Sequence, residues 1–455
     1  MRAPEGGQLM AEATPQARER LGNPWLTAYA VSVRCLQPVL RGLLRWRLAR
    51  CREEAGRVAE RYGVPSKSRP PGPLLWVHAV SVGEAVSVLR LLDRIQQAHG
   101  PAILFTTTTV SGARLVERYL AASGDSAVIH QYLPLDSPPW TRAFLDHWQP
   151  DAVLWVESDL WPQMIAEVHR RAIPSVLVNA RLSSRSARVG RWLRPLLRPA
   201  LQGFHLCLAS APEQVERLQA LGTPDPCCLG NLKAAPSPVL DCLRSEPYPL
   251  ERSTGDAAWI AVSTHPGEEE IVLEVHRRLS GRLPGLLTVI APRDVRRADH
   301  LAAMAAEAGV RWQRKSRCAG APQGGGVYIV DTMGELGEVL PVCPVAFMGG
   351  SLVPRGGHNP FEPLHFGAVV VHGPRTENFR EAYQRLRDCG GSWEVTGATE
   401  LAIAVEALLA DPRCRSRYRE CAQGAVIDGE AVTETVFDAV NRVIADGLTG
   451  ERVGD

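Results

Sequence analysis

The sequence predicts an α/β protein with two parallel sheets wrapped by helices, arranged as two Rossmann-like domains facing across a cleft. Three observations carry this. Short apolar runs of strand length alternate with amphipathic stretches, and this alternation occurs twice. A proline-rich break separates the two series. The chain, at 455 residues, is longer than one hydrophobic core ordinarily organises.

The elements follow in order. Trp25 to Arg50 reads as an amphipathic helix kinked at Pro38, with Trp25, Leu26, Tyr29, Val33, Leu36, Leu40, Leu43 and Leu44 on its apolar side. Arg34, Arg41 and Arg45 fall at helical spacing, and Trp46 sits among arginines. Such a segment suits a bilayer interface, its apolar face immersed and its arginines at the headgroups. The competing reading is a helix packed on the protein's own surface. From Leu74, the runs LLWVHAV, AILFTTT, AVLWVES, SVLVNA and LCLAS read as buried strands, with amphipathic helices such as Glu84–Ala98 and Ser111–Ala121 between them. Pro236 to Gly255 holds four prolines and no periodicity, as an interdomain linker would. The second series is WIAVST, LLTVIAP, VYIVD, VAFMGG and AVVVHG. Two such units joined by a linker suggest the GT-B architecture of many glycosyltransferases, although fold alone does not fix chemistry. The expected division is residues 1–50 as an N-terminal amphipathic segment, 51–240 as the first domain, 241–255 as the linker and 256–455 as the second domain.

Composition narrows the class. Hydrophobic residues make up 45% and charged residues 22%, which is ordinary for a globular chain. The eleven cysteines are scattered and lack Cys-x-x-Cys spacing with partner histidines, so buried thiols in a reducing cytoplasm are expected rather than a zinc site or disulfide framework. No apolar run reaches about 18 residues, and the polar start lacks a signal-peptide core. The machinery is therefore expected on the cytoplasmic side. No Asp-x-Asp pair lies in a setting that suggests a sugar-nucleotide metal site, so no metal or other cofactor is assigned. His78, His265 and His358 read as hydrogen-bonding residues rather than ligands.

Four motifs of the first series carry chemistry. HAVSVGE, His78 to Glu84, ends a strand and opens a helix. Glu84 is either a general base or a helix N-terminal charge, and spacing alone favours the capping role. WVESDLWPQM places Glu157 and Asp159 at the carboxyl end of a strand, where parallel sheets bind ligands. Arg181, Arg185, Arg188, Arg191, Arg194 and Arg198 recur every three or four residues, with no Asp or Glu between Ser175 and Pro212. Such a stripe repels itself unless it meets an anion, for which a phosphorylated glycolipid or an anionic leaflet fits. Nucleic acid fits less well, because no nucleic-acid-binding motif accompanies it. GNLK, Gly230 to Lys233, offers a lysine to a sugar carboxylate or phosphate.

In the second series, STHPGEEE joins a strand to a helix whose free N–H groups could hold an anion. APRD presents Arg293, and DTMGELG places Gly334 at a helix start. GGSLVPRGGHNPFEP combines a glycine-rich turn with Asn359 and Glu362, as a nucleotide-sugar site requires.

Together, HAVSVGE, TTTTVSGARL, YLPLDSP, ESDLWP, VLVNARLSSRSA, GNLK, STHPGEEE, APRD, DTMGELG, GGSLVPRGGHNPFEP and GPRTENF resemble the 3-deoxy-D-manno-octulosonic acid (Kdo) transferase family of lipopolysaccharide synthesis. The resemblance runs from about Arg50 to Ala410 with the motifs in order. It implies an inverting GT-B transferase that moves Kdo from CMP-Kdo to the 6′-hydroxyl of a lipid A precursor, at the cytoplasmic face of the inner membrane with its anionic lipids. The first domain would bind the acceptor and the second the donor. By resemblance, Glu84 matches the catalytic base, Glu157 a second essential carboxylate and Lys233 a cleft lysine. Arg181, Arg185 and Arg188 would meet substrate. Thr264, His265, Pro292, Arg293, Met333, Gly334, Glu335, Asn359 and Glu362 fall in motifs similar to CMP-binding loops. Two positions depart from the pattern: Asp159 stands where glutamate is usual, and Asp294 where histidine is common. The competing functions are a GT-B transferase using another nucleotide sugar, a nucleotide-sugar epimerase of similar fold, and a catalytically inactive protein that binds a lipid A precursor.

Overall fold

The computed structural model describes residues 23–50, 53–80, 82–123, 128–157, 160–181, 194–235, 257–317, 325–332 and 336–449. The linker expected at 241–255 lies outside the described residues. The chain forms two compact units, residues 1–231 with 434–455, and residues 232–433.

The first unit holds a parallel sheet of seven strands in the order β3-β2-β1-β4-β5-β6-β7. They are β1 (Leu74–His78), β2 (Ala102–Thr107), β3 (Val128–Tyr132), β4 (Ala152–Val156), β5 (Ser175–Ala180), β6 (Leu206–Ala209) and β7 (Cys227–Cys228). Every residue of β1, β4 and β5 is buried, because helices cover both faces of a parallel sheet. Three indoles in the two sheet cores satisfy their N–H groups locally. Trp76 Nε1 donates to Thr106 Oγ1 at 2.9 Å, Trp148 to Gln131 Oε1 at 2.9 Å and, in the second unit, Trp259 to Thr288 Oγ1 at 2.7 Å.

Strand β3 is an edge, and unpaired edges recruit other strands. Here a 3-10 segment, Ala55–Tyr62, covers it with charged side chains. Glu60 accepts the Tyr132 N–H at 2.7 Å, Arg57 donates to the His130 carbonyl at 3.1 Å, and Arg61 donates to the Leu133 carbonyl at 3.2 Å. The buried Arg61 is itself neutralised by Glu53 through two hydrogen bonds of 3.0 Å.

The N-terminal segment differs from the single kinked helix expected. It is two helices, Pro24–Cys35 and Gln37–Ala49, broken at Leu36, two residues before Pro38. A proline suits the first turn of a helix and disfavours a helical residue before it, so the chain restarts there. The cysteines also differ from expectation. Of the described ones, all free, only Cys207 and Cys343 are buried, while Cys35, Cys227 and Cys389 are exposed.

The second unit repeats the plan in the order β10-β11-β9-β8-β12-β13-β14. Its strands are β8 (Ala258–Thr264), β9 (Leu287–Pro292), β10 (Trp312–Arg314), β11 (Gly326–Ile329), β12 (Val345–Met348), β13 (Val369–His372) and β14 (Ser392–Glu394). All pairings are parallel. The helix Pro412–Thr449 belongs to this unit as far as Thr433 and to the first from Glu434, where Glu434 pairs with Arg94 at 2.6 Å. No described helix is long and apolar enough to cross a membrane.

His276 is buried in the second unit against Thr288 Oγ1, and burial pushes its pKa down from 6.5 to about 4. The folded state therefore favours the neutral ring. Its contribution is complete above pH 6.5 and is lost as the pH falls towards 4. The loss should reach about 3 kcal/mol at its limit. Denaturant unfolding at pH 7.5 and 4.5 should show a smaller acid loss in His276→Gln than in the wild type. Equal losses would exclude this residue as a source.

Candidate functional site

A parallel sheet opens a crevice where its strand order reverses, beyond the carboxyl ends of the two central strands. In the first unit that point lies between β1 and β4. HAVSVGE follows β1, and ESDLWP follows β4. The two carboxylates singled out from sequence, Glu84 and Glu157, therefore flank the same reversal.

Glu84 lies in the first turn of the helix Val82–His99, and its Oε2 accepts the Val80 N–H at 2.7 Å. The capping role is thus filled by one oxygen. This bond orients the carboxylate at the start of the helix. The Val80 carbonyl in turn accepts from Thr109 Oγ1 at 3.0 Å, and Ala79 N donates to Thr106 O at 3.0 Å. The TTTTVSG segment at the end of β2 thereby fixes the loop that leads to Glu84. Arg61 donates to the Thr108 carbonyl at 2.7 Å and holds that segment from below.

Glu157 is buried, and its φ of 61° is left-handed, a conformation rare outside glycine. Asn179, at the end of β5, shares it with a φ of 53° and directs its amide at Glu157 Oε1 over 3.4 Å. Two such residues on adjacent strand ends hold strain at one place, a pattern common at functional sites. Burial works against the Arg181 charge, and Glu157 opposes that effect. The helix after Glu157, Pro162–Arg170, is capped by Asp136, which accepts the Gln163 and Met164 N–H groups at 2.9 and 2.8 Å. Tyr29 of the N-terminal segment donates to the same carboxylate at 2.9 Å. Of the other substrate candidates, Arg185 and Arg188 lie outside the described residues, as does Asp159.

The second unit reverses between β8 and β12. Ser263 has a φ of 55°, and the β8–β9 register shifts between Val262 and Thr264. Gly349 fits here because a Cβ at that position would lie 2.4 Å from the Ser263 carbonyl. Thr264 is 1% exposed, and its Oγ1 makes no hydrogen bond among the described residues. His265 stacks on His358, Nε2 to Nε2 at 2.9 Å. Burial lowers the His265 pKa, and Arg355, Arg293 and Arg297 push it the same way, so these cations surround a neutral ring.

Arg293 follows Pro292 at the end of β9, and its N–H donates to the Thr264 carbonyl at 3.0 Å. Glu362 opens the helix Phe361–His365 after Asn359, whose Oδ1 accepts the Phe361 N–H at 3.1 Å. Burial raises the Glu362 pKa, while Lys233 and Arg293 counter it. Lys233 belongs to the second unit, where His365 Nε2 meets the carbonyl of the next residue, Ala234, at 3.0 Å. Met333, Gly334 and Glu335 lie outside the described residues.

In the turn before the helix of STHPGEEE, two backbone N–H groups are taken by glutamates of that helix. Glu268 accepts the His265 N–H at 3.1 Å, and Glu270 accepts the Gly267 N–H at 2.8 Å. Sequence reasoning passed over Asn179, Asp136 and Glu268. All three lie in quoted motifs, YLPLDSP, VLVNARLSSRSA and STHPGEEE, and Glu268 also stands just after a glycine at a helix start.

The family model and the sequence relatives agree on one family. The family model described as 3-Deoxy-D-manno-octulosonic-acid transferase (kdotransferase) matches residues 56–235. The chain is 34% identical to the 3-deoxy-D-manno-octulosonic acid transferase of Haemophilus influenzae, across 91% of this chain and 97% of that one. It is 32% identical to the transferase of the same description from Bordetella pertussis, across 90% and 98%. A solved UDP-N-acetylglucosamine 2-epimerase aligns with a TM-score of 0.56 at 14% identity, across 86% of this chain and 98% of that one, a likeness of GT-B fold alone. Identity sustained over nearly the whole of both chains, on a fold with carboxylates at its strand-order reversal, places this chain in the Kdo transferase family as a Kdo-transferring enzyme of lipopolysaccharide synthesis.

Proposed function

We propose that the chain transfers Kdo from CMP-Kdo to the 6′-hydroxyl of a lipid A precursor with inversion at the anomeric carbon. The observation that carries this reading is the placement of Glu84 and Glu157 on either side of the β1–β4 reversal, one fixed by Val80 and the other by a strained turn. Glu84 acts as the general base. It takes the proton as the acceptor oxygen forms its bond to the anomeric carbon, and the bond from that carbon to the CMP phosphate breaks on the opposite face. Glu157, with Asn179 and Arg181 beside it, orients the acceptor.

The second unit holds the donor. Thr264, His265 and Arg293 receive the phosphate, and Arg293 offsets the negative charge that grows as CMP leaves. Glu362 accepts from donor hydroxyls; burial raises its pKa, and Lys233 and Arg293 work against that rise. By the family resemblance, Arg185 and Arg188 meet the acceptor, and Met333, Gly334 and Glu335 the CMP moiety.

In this reading the N-terminal helices attach the enzyme to the cytoplasmic face of the inner membrane. Trp25, Val31, Leu36, Val39, Leu43 and Trp46 are 45–65% exposed, and they are six of the eight large hydrophobic side chains exposed among the described residues. Arg50 stacks on Trp46 at 4.3 Å, as a headgroup-facing cation would. The same helices are tied to the rest of the first unit by Tyr29 to Asp136, Gln37 to Ser137 and Arg47 to Glu53. An apolar surface so held suits a lipid interface, with anionic lipids drawn by Arg34, Arg41 and Arg45.

Mass spectrometry of a tetra-acylated lipid A precursor, with CMP-Kdo generated in the tube, should show addition of Kdo. Glu84→Gln should slow that addition roughly 100-fold or more while leaving CMP affinity unchanged. Full activity in this variant would remove Glu84 from the chemistry. Replacing Trp25, Val39 and Trp46 together by serine should weaken binding to anionic vesicles at least about tenfold. Unaltered sedimentation with vesicles would reject the membrane assignment.

A further inference from the structure

Glu268 is fully buried and accepts four backbone N–H groups, two at each oxygen. Oε2 takes His265 N at 3.1 Å and Gly350 N at 2.7 Å, and Oε1 takes Ser351 N at 3.1 Å and Leu352 N at 3.0 Å. This fills all four lone-pair sites of a carboxylate. The donors come from two loops far apart in sequence, one after β8 and one after β12. Those loops flank the strand-order reversal of the second unit. The second loop is held further by Ser351, whose hydroxyl donates to the Met348 carbonyl and accepts the Gly373 N–H at 2.7 Å.

We propose that Glu268 is a positioning residue for the sugar-nucleotide donor, clamping the Gly350–Leu352 backbone to the His265 turn. The clamp sets the approach of His265 to His358, whose rings meet at 2.9 Å, and keeps Thr264 Oγ1 and the Arg293 N–H at the same strand ends. Glu268 does not touch the donor, because its oxygens are already occupied. An internal anion takes the place that a ligand would otherwise occupy among these N–H groups, so the loops are ordered before the donor arrives. Neither aspartate nor glutamine can replace it. Aspartate is one methylene short of the four donors, and glutamine presents N–H to N–H at one end. This inference rests on the reading of the second unit as the donor unit.

The test measures CMP affinity by calorimetry and donor KM and kcat on the full chain. The wild type is compared with Glu268→Gln and Glu268→Ala, with thermal unfolding as the check of fold. CMP affinity should fall and donor KM rise roughly 10- to 100-fold, while kcat stays within about threefold. Formate added to Glu268→Ala should restore part of the affinity, since a small carboxylate can enter the space left among the N–H groups. Variants with wild-type CMP affinity and KM would overturn the inference, as would an Ala variant that formate does not rescue. Should both variants fail to fold, amide exchange on the wild type decides. The Gly350, Ser351 and Leu352 N–H groups should exchange slowly without ligand, and fast exchange would overturn the clamp. A wild-type enzyme that binds no CMP would sink the donor assignment itself, whatever the variants do.

Discussion

A parallel sheet ends in loops whose backbone N–H groups have no ladder partner, and in this chain buried or half-buried carboxylates answer them. Glu84 takes the Val80 N–H after β1, Asp136 takes two at the helix after β4, and Glu268 takes four between β8 and β12. Glu60 does the same for the edge strand β3. An unsatisfied buried N–H costs about 1–3 kcal/mol, and a charged acceptor makes a stronger bond than a neutral one. Negative charge placed at strand ends therefore does two things. It holds the loops rigid, and it leaves Arg181 near Glu157 in the first unit and Arg293 and Lys233 near Glu362 in the second.

The same logic ties the N-terminal segment to the rest of the first unit. Arg47 reaches Glu53, Glu53 neutralises Arg61, and Arg61 holds the Thr108 carbonyl beside the loop of Glu84. Tyr29 reaches Asp136, which caps the helix that follows Glu157. The exposed apolar helices are thus not an appendage. Their inner faces are hydrogen-bonded to the residues that frame both carboxylates.

Much of this was legible in the residues. Short apolar runs such as LLWV and AVLWV read as strands covered on both faces, and both are. Carboxylates following such runs had to emerge at carboxyl ends of strands. Less was legible where a residue's role depends on partners distant in sequence. Asn179 looks like a strand residue, yet its left-handed backbone turns its amide towards Glu157, 22 positions earlier. Glu268 reads as one of three glutamates at a helix start, and its N–H partners Gly350–Leu352 are more than 80 positions away.

The sequence by itself determined the two α/β series, the family and the loops that bear the chemistry, because apolar period and motif order are local properties. The tertiary structure decided which of these loops meet. It put Glu84 and Glu157 on one strand-order reversal, assigned Lys233 to the second unit beside Glu362, and divided the N-terminal segment at Leu36. Strand order and hydrogen-bond partners at long separation depend on how the sheets assemble, and no stretch of sequence contains that information alone.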